Sequence, residues 1–324
     1  MIRLPSLGRR TALISAAGLA FGCELLGPLH PLPDGGSSSE GGVIDTGSGG
    51  DAEDGSGDGP PPGPTCDTSM PFGEPMLVYG LNRDPGTEFT VRLSPDELTA
   101  YVAEGPGNYL TTDLYSASRG HRSDAFRPLV PLTSLNEVWA DESATVTGDG
   151  LVLFMDSTRA GSDDKIYRSS RTDISQQFST PELVMLEAGM IAEQGSPYVL
   201  PDGSALYFGS YRNGTSSIRR FDLTAANVAG NESTPLSTVG NYPVVSGDEL
   251  TLYFGCGDDP NIDICVTSRP SRDDAFQAVT SVAELNTTGD EYPQWISPDG
   301  CRLYFIRQVG GTLTYSFVAE RTRM

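Results

Sequence analysis

The chain has 324 residues, enough for one or two domains, and 37% of them are hydrophobic, which suffices for a core but is low for a helix-rich enzyme. Its formal charge of −22 argues against a nucleic-acid partner, because phosphate binding needs a basic surface. The abundance of Gly, Pro, Ser, Thr and Tyr predicts many short strands joined by turns.

The N-terminus has the pattern of an export signal. Arg3, Arg9 and Arg10 precede an apolar stretch, residues 11–22, that is too short to span a bilayer but fits the core of a signal peptide. The stretch runs directly into Cys23, and the local sequence AFGC resembles a bacterial lipoprotein signal, in which the cysteine is lipidated and becomes the first mature residue. An ordinary signal peptide with an incidental cysteine is the alternative. In both cases we expect the mature chain outside the cytoplasm.

Residues 23–70 are predicted to form a disordered tether. The stretch is rich in Gly, Ser, Asp and Pro and contains no Lys or Arg. Such a composition cannot bury enough surface to offset chain entropy, so it stays solvated. We therefore expect a lipoprotein-type signal peptide (1–22), a tether (23–70) and a folded domain (71–324), exported and anchored to a membrane through the N-terminal lipid, facing the periplasm or the cell surface.

Five copies of one hairpin phrase follow at intervals of about 50 residues, a period typical of propeller blades. They are RLSPDELTAYV (92–102), TVTGDGLVLFM (145–155), YVLPDGSALYF (198–208), VVSGDELTLYF (244–254) and WISPDGCRLYF (295–305). In each copy a polar turn separates two apolar runs, because Asp bonds its own backbone and Gly accepts a positive φ. A third strand-like run follows each copy.

A fourth strand completes the repeat. The segments FRPLVPLTSLN (126–136) and FQAVTSVAELN (276–286) share Phe and Leu-Asn at the same spacing, FSTPELVML (178–186) is a looser relative, and FGEPMLVYGLN (72–82) stands before the first turn phrase. The chain therefore begins with a fourth strand and ends with a third. We predict an all-β, five-bladed β-propeller of four-stranded antiparallel blades, closed by the N-terminal outer strand, because closure removes an exposed sheet edge.

The turn phrase resembles the WD40-like Pro-Asp repeat of TolB-type β-propellers, most clearly at SPD (94–96) and SPDG (297–300). Copies two and four depart from this motif, with Gly148 and Gly247 in place of proline. The resemblance covers residues 72–324. It implies an extracytoplasmic propeller that binds proteins, and it leaves the ligand open.

The cysteine count is odd, and lipidation of Cys23 removes the extra one from an exported chain. Blade geometry favours a bond between Cys66 and Cys301, because the closing blade's outer strand and its first turn begin on the same face. Cys256 and Cys265 flank one loop, which a hairpin brings together. The alternative is that some of these cysteines are free, buried thiols.

The sequence favours neither a catalytic triad nor a metal site. Of the two histidines, His30 lies in the tether and His121 in a loop without a nucleophile elbow, and their scarcity excludes a His-based metal site. The oxygen-rich segments GSDDK (161–165) and GDDPNID (257–263) lack the spacing of a calcium loop and are interpreted as solvated turns. We predict no catalytic residue, no metal and no cofactor.

Residues a fixed distance before the turn aspartates are predicted to surround one mouth of the central channel. These candidates are Glu88, Asp141, Gln194 and Glu291. A carboxylate pair in such a funnel suits glycoside hydrolysis, whereas recurrence at equivalent positions favours hydrogen bonding between blades. Trp139 and Trp295, placed near the mouth, are candidates for a protein- or sugar-binding surface, and packing of Trp295 between blades is the alternative.

These observations together predict an exported, lipid-anchored binding or scaffold module of the cell envelope, with an unidentified protein partner and no catalysis. The alternative is a carbohydrate-active propeller, either a glycoside hydrolase or a lectin-like sugar binder, that uses the carboxylates at the channel mouth.

Overall fold

The structure is a computed structural model, and its described residues form an all-β unit. They are 66–82, 88–105, 111–161, 163–185, 193–212, 214–224, 229–257, 261–310 and 313–322. The predicted signal peptide, Cys23 and most of the tether lie outside them. Among the described residues, none belongs to a helix long and apolar enough to cross a membrane.

The strands group into five antiparallel sheets of four. Blade 1 contains β2 (Glu88–Leu93), β3 (Thr99–Glu104), β4 (Asp113–Ser118) and β5 (Val130–Pro131). Blade 2 contains β6 (Asp141–Val146), β7 (Val152–Ser157), β8 (Lys165–Ser170) and β9 (Glu182–Leu183). Blade 3 contains β10 (Glu193–Val199), β11 (Ala205–Arg212), β12 (Thr215–Leu223) and β13 (Ala229–Ser233). Blade 4 contains β14 (Asn241–Val245), β15 (Thr251–Cys256), β16 (Asp263–Ser268) and β17 (Thr280–Ser281). Blade 5 contains β18 (Glu291–Ile296), β19 (Arg302–Val309), β20 (Leu313–Glu320) and, from the N-terminus, β1 (Met76–Leu77).

The N-terminal strand closes the ring, which confirms the predicted five-bladed propeller. Strand β1 pairs with β20, with Met76 opposite Val318 and Leu77 opposite Phe317. The innermost strands β2, β6, β10, β14 and β18 contact one another in that order, and β18 contacts β2. All five run in the same direction along the central axis. We call the face where they begin the start face and the face that carries the turn phrases the turn face.

Local hydrogen bonds explain the repeated turn phrase. In blade 1, Ser94 Oγ and the Leu98 N–H both donate to Asp96 Oδ1, and in blade 5 Ser297 Oγ and the Cys301 N–H do the same with Asp299. The residue after the aspartate has a positive φ in every copy, the conformation that glycine tolerates best. These residues are Glu97, Gly150, Gly203, Glu249 and Gly300.

The Leu-Asn pattern of the outer segments is explained by a side-chain clamp on the third strand. Asn136 accepts the Leu114 N–H at 2.8 Å and donates to the Leu114 carbonyl at 2.9 Å. Asn286 clamps Ile264 in the same way, and Asn82 clamps Ser316 across the closing seam. The outer strands themselves are only two residues long in four blades. The asparagines therefore supply pairing that these short edge strands lack.

Two disulfides confirm the predicted pairing. Cys66 is bonded to Cys301 with a Cα–Cα distance of 5.7 Å, and Cys256 to Cys265 at 5.9 Å. Cys66 precedes the predicted domain boundary at 71, yet it is buried and its N–H faces the Cys301 sulfur. The bond therefore joins the end of the predicted tether to the first turn of blade 5, on the turn face.

Candidate functional site in the axial channel

The structure places the predicted acidic positions at the start face, where the innermost strands begin. Glu88, Asp141 and Glu291 are the first residues of β2, β6 and β18, and Gln194 is the second residue of β10. The Glu88 side chain lies outside the described part of the chain. The other three side chains are buried.

Asp141 and Glu291 each hold an arginine and the loop before their strand. Asp141 accepts the Glu137 N–H at 2.7 Å and is paired with Arg159 at 2.5 Å. Glu291 accepts the Thr287 N–H and hydroxyl at 3.0 and 2.6 Å and is paired with Arg307 at 2.9 Å. Both carboxylates have no exposed surface. They are therefore occupied by bonds within the protein rather than presented to a ligand.

The backbone at these positions joins neighbouring blades. The Asp141 N–H donates to Thr112 of blade 1 at 2.8 Å. The Gln194 N–H bonds Asp164 of blade 2, and the Glu291 N–H bonds Ile262 of blade 4. Because the bond recurs at equivalent positions, it acts as a repeated link between blades.

A buried arginine crosses the middle of the channel. Arg92 of blade 1 is 1% exposed, its Nη2 donates to the Pro197 carbonyl of blade 3 at 3.4 Å, and its guanidinium lies 5.2 Å from the ring centroid of Tyr198. Its Nε and Nη1 atoms bond no described residue. Burial lowers the pKa of Arg92 to about 10. The Arg92 side chain thus spans the channel from blade 1 to blade 3.

The carboxylate of Asp156 in blade 2 interacts electrostatically with Arg92, although the two groups are farther apart than an ion pair. Its Oδ2 accepts the Ser196 N–H of blade 3 at 3.3 Å. Burial raises the pKa of Asp156 to about 6, against the opposing effects of a hydrogen bond from Ser143 and the charge of Arg92. The carboxylate is therefore a second link between blades.

An open cavity of about 300 Å³ lies on the axis at the turn face, and all five blades line it. Its wall is a ring of aliphatic side chains, one from the end of each innermost strand: Leu93, Val146, Val199, Val245 and Ile296. Tyr198 and Trp295 add aromatic surface, and Pro95, Pro201 and Pro298 form part of the rim. Small-molecule sites are concave and mostly apolar, and this cavity is at the lower end of their size range.

The hydroxyls around this cavity are committed to the fold. Ser246 Oγ donates to Asp248 and accepts the Thr251 N–H, and Ser297 Oγ accepts the Arg302 N–H while it donates to Asp299. Asp248 and the buried Tyr198 are the ionisable lining residues. The side-chain hydroxyls of Ser246 and Ser297 are therefore already bonded within the protein, and Asp248 supplies the lining carboxylate.

The two tryptophans lie at opposite ends of the channel. Trp139 is in the loop before β6 on the start face and is 44% exposed. Trp295 is near the end of β18, is 7% exposed and makes an edge contact with Tyr304 at 5.7 Å. Trp295 both packs within its blade and lines the cavity.

Two buried glutamates that the sequence reasoning missed organise charge on the turn face. Glu97 binds Arg302 of blade 5 through both oxygens, and Glu249 binds Arg220 of blade 3. Both have a positive φ, at the turn position where the other three copies have glycine. A non-glycine residue at a glycine position was the available signal, since such strain needs compensating contacts.

These features define a five-bladed β-propeller with an apolar axial cavity. No protein-family model matches the chain. No curated protein matches it either.

Solved propellers are similar to the chain at the level of fold. TolB from Acinetobacter baumannii is 16% identical with a TM-score of 0.47, and the match covers 74% of this chain and 55% of that one, so it spans about half of the TolB chain. The α-L-arabinofuranosidase PaAbf62A from Podospora anserina is 13% identical with a TM-score of 0.52, covering 80% and 99%. The catalytic domain of the Coprinopsis cinerea GH62 α-L-arabinofuranosidase is 11% identical with a TM-score of 0.51, covering 80% and 98%.

Proposed function

We propose that this protein is an exported binding module of the cell envelope, anchored by a lipid on Cys23, whose partner contacts the turn face around the axial cavity. The observation that carries the proposal is the contrast between the two mouths. Asp141 and Glu291 are buried in ion pairs at the start face, whereas the open cavity is apolar and aromatic. Such a surface offers complementarity to a ligand and no acid–base pair.

Catalysis is tested directly at the two buried carboxylates. We expect the purified protein to hydrolyse no aryl glycoside, including arabinofuranosides, and we expect Asp141→Asn and Glu291→Gln to lower the melting temperature. Removing one partner of a buried ion pair costs about 3–5 kcal/mol, because the arginine is left uncompensated. Hydrolysis that either substitution abolishes would instead establish the carbohydrate-active alternative.

Lipid anchoring is tested by mass spectrometry of the mature N-terminus. We expect the chain to begin at a diacylglyceryl-modified Cys23 and to move to the soluble fraction in Cys23→Ser. A mature N-terminus at any other, unmodified residue contradicts the anchor. The binding function does not depend on this result.

Sugar binding is the second candidate, favoured by the rings of Trp295 and Tyr198 in the cavity. The committed hydroxyls of Ser246 and Ser297 count against it, because a sugar needs several hydrogen-bond partners. Saturable binding of a neutral oligosaccharide that Trp295→Phe weakens would favour this candidate.

A further inference from the structure

The charges around the axial cavity are arranged along its depth. Asp248 lies at the rim, and its Oδ1 is committed to Ser246 and Leu250, while its Oδ2 accepts no hydrogen bond from a described residue. At the inner end, the buried guanidinium of Arg92 lies against Tyr198. Among the described residues that line the cavity, none is Lys, Arg or His. A carboxylate therefore stands at the mouth of the cavity and a guanidinium behind its floor.

Among the described residues, no arginine near the rim is paired with the Asp248 carboxylate. Arg272 donates to the Gly247 and Asp248 carbonyls and is paired with Glu249 at 3.5 Å. Arg302 is held by Glu97 and also pairs with Asp299 at 3.2 Å. Both arginines are therefore bonded to groups other than the Asp248 carboxylate.

The neighbouring turn aspartates differ in the charge that they add to the rim. Hydrogen bonds from Thr147 and Leu151 lower the pKa of Asp149. Burial opposes the same effect at Asp299, but hydrogen bonds from Ser297 and Cys301 outweigh it and lower the pKa. Both side chains are therefore charged at neutral pH, but Asp299 is paired with Arg302 at 3.2 Å, so only Asp149 reinforces the field of Asp248.

We infer that the cavity takes a primary ammonium group attached to an apolar body, with the ammonium beside Asp248 at the rim and the apolar body inside the aliphatic ring. The inference rests on the proposed binding function and names the chemistry of the ligand. A volume of about 300 Å³ equals the share of roughly ten liquid waters, so a body of five to eight non-hydrogen atoms fits.

The orientation distinguishes this ligand from a lysine side chain. A lysine enters a cavity with its ammonium first, which brings the charge toward Arg92 and places it in the least polar part of the site. A free alkylamine, or the apolar N-terminal residue of a partner chain, enters with its apolar part first. These two sources share the same chemistry.

The two tryptophans of the chain make the site observable. In Trp139→Phe, emission reports on Trp295 in the cavity alone. Full-length Trp139→Phe protein is titrated with n-pentylamine, 1-pentanol and hexanoate, which share an apolar body and differ in charge. We expect a saturable change in Trp295 emission with pentylamine and about twofold to fivefold weaker binding of pentanol, the effect of one partly exposed ion pair. We expect no binding of hexanoate.

A matched pair of variants tests the role of the rim. Asp248→Asn is expected to weaken pentylamine binding about twofold to fivefold and to leave pentanol binding unchanged. Asp149→Asn makes the same change at the equivalent turn of blade 2, outside the cavity lining, and is expected to have a smaller effect. Asparagine preserves the turn hydrogen bonds, so both variants should fold.

A peptide comparison identifies the source. If Leu-Gly-Gly-amide binds more tightly than pentylamine and N-acetylation abolishes its binding, the ligand is a partner's N-terminus. If pentylamine binds more tightly, the ligand is a free amine. Any one of four results overturns the inference. They are equal affinity for pentylamine and pentanol, equal effects of the two asparagine variants, stronger binding of Nα-acetyl-lysine amide than of pentylamine, and no emission change with any probe. If the protein still binds its partner in such a case, the proposed function is not contradicted.

Discussion

Removal of the Cys66–Cys301 disulfide is expected to destabilise the propeller more than removal of the Cys256–Cys265 disulfide. The first bond joins residues 235 positions apart and holds the N-terminal strand in blade 5, whereas the second closes a hairpin with a separation of 9. A cross-link stabilises mainly by restricting the unfolded chain, more so for a longer loop.

The loop lengths give the size of the difference. The chain-entropy relation gives about 5 kcal/mol for a separation of 235 and about 2.5 kcal/mol for a separation of 9. At roughly 2–4 °C per kcal/mol for a domain of this size, the melting temperature falls by about 10–20 °C in one case and about 5–10 °C in the other.

Differential scanning calorimetry of two double variants measures this difference. Cys66→Ala/Cys301→Ala is compared with Cys256→Ala/Cys265→Ala, both in a Cys23→Ser background so that no free thiol remains. Equal melting temperatures for the two variants, or a smaller loss for the long loop, would refute the argument that ring closure is held by this bond.

Three further predictions concern the channel and the blade interfaces. Because the pKa of Asp156 is raised to about 6, the stability contributed by its protonated form is present below about pH 4 and is lost as the pH rises through 6. In urea unfolding, the free energy of unfolding of Asp156→Asn should therefore equal that of the wild type at pH 4 and exceed it by about 3 kcal/mol at pH 7. No pH dependence of that difference would contradict the assignment. Glu97→Gly should lower the free energy of unfolding by about 2–4 kcal/mol, since Arg302 loses its fully buried partner and keeps only the partly exposed Asp299 and Glu320. This loss outweighs the relief of a strained turn, and an unchanged or increased stability would be the contrary result. In acrylamide quenching, the remaining Trp295 of the Trp139→Phe protein should be protected, and the remaining Trp139 of the Trp295→Phe protein should be accessible. The reverse order would contradict the burial of Trp295 and the exposure of Trp139.

Local chemistry explains how far the sequence predicted the fold. The turn phrase bonds within itself, as Ser94 and Asp96 show, so each copy specifies a hairpin without reference to the rest of the chain. The first segment with the Phe and Leu-Asn pattern indicated an additional outer strand at the N-terminus. Closure of the ring by this strand followed because an unpaired sheet edge needs to be covered. The cysteine pairs then followed from blade geometry.

The candidate site depended on contacts that the repeat does not encode. Glu97 meets Arg302 across a sequence separation of 205, and Arg92 reaches Pro197 across 105. Whether a channel is filled or open at a given level depends on such long-range side-chain contacts. The sequence therefore could not show that the open cavity lies at the turn face. It also could not show that Trp295 lines that cavity.

Site-specific photocrosslinking in the parent cells tests most directly whether the turn face is the binding surface. A photoreactive residue replaces Pro298 at the cavity rim, and a second variant carries it in place of Val309, an exposed position on the start-face hairpin of the same blade. We predict one defined adduct from position 298, suppressed in Asp248→Asn, and none from position 309. Adducts from position 309 alone, or from neither position, would contradict the account.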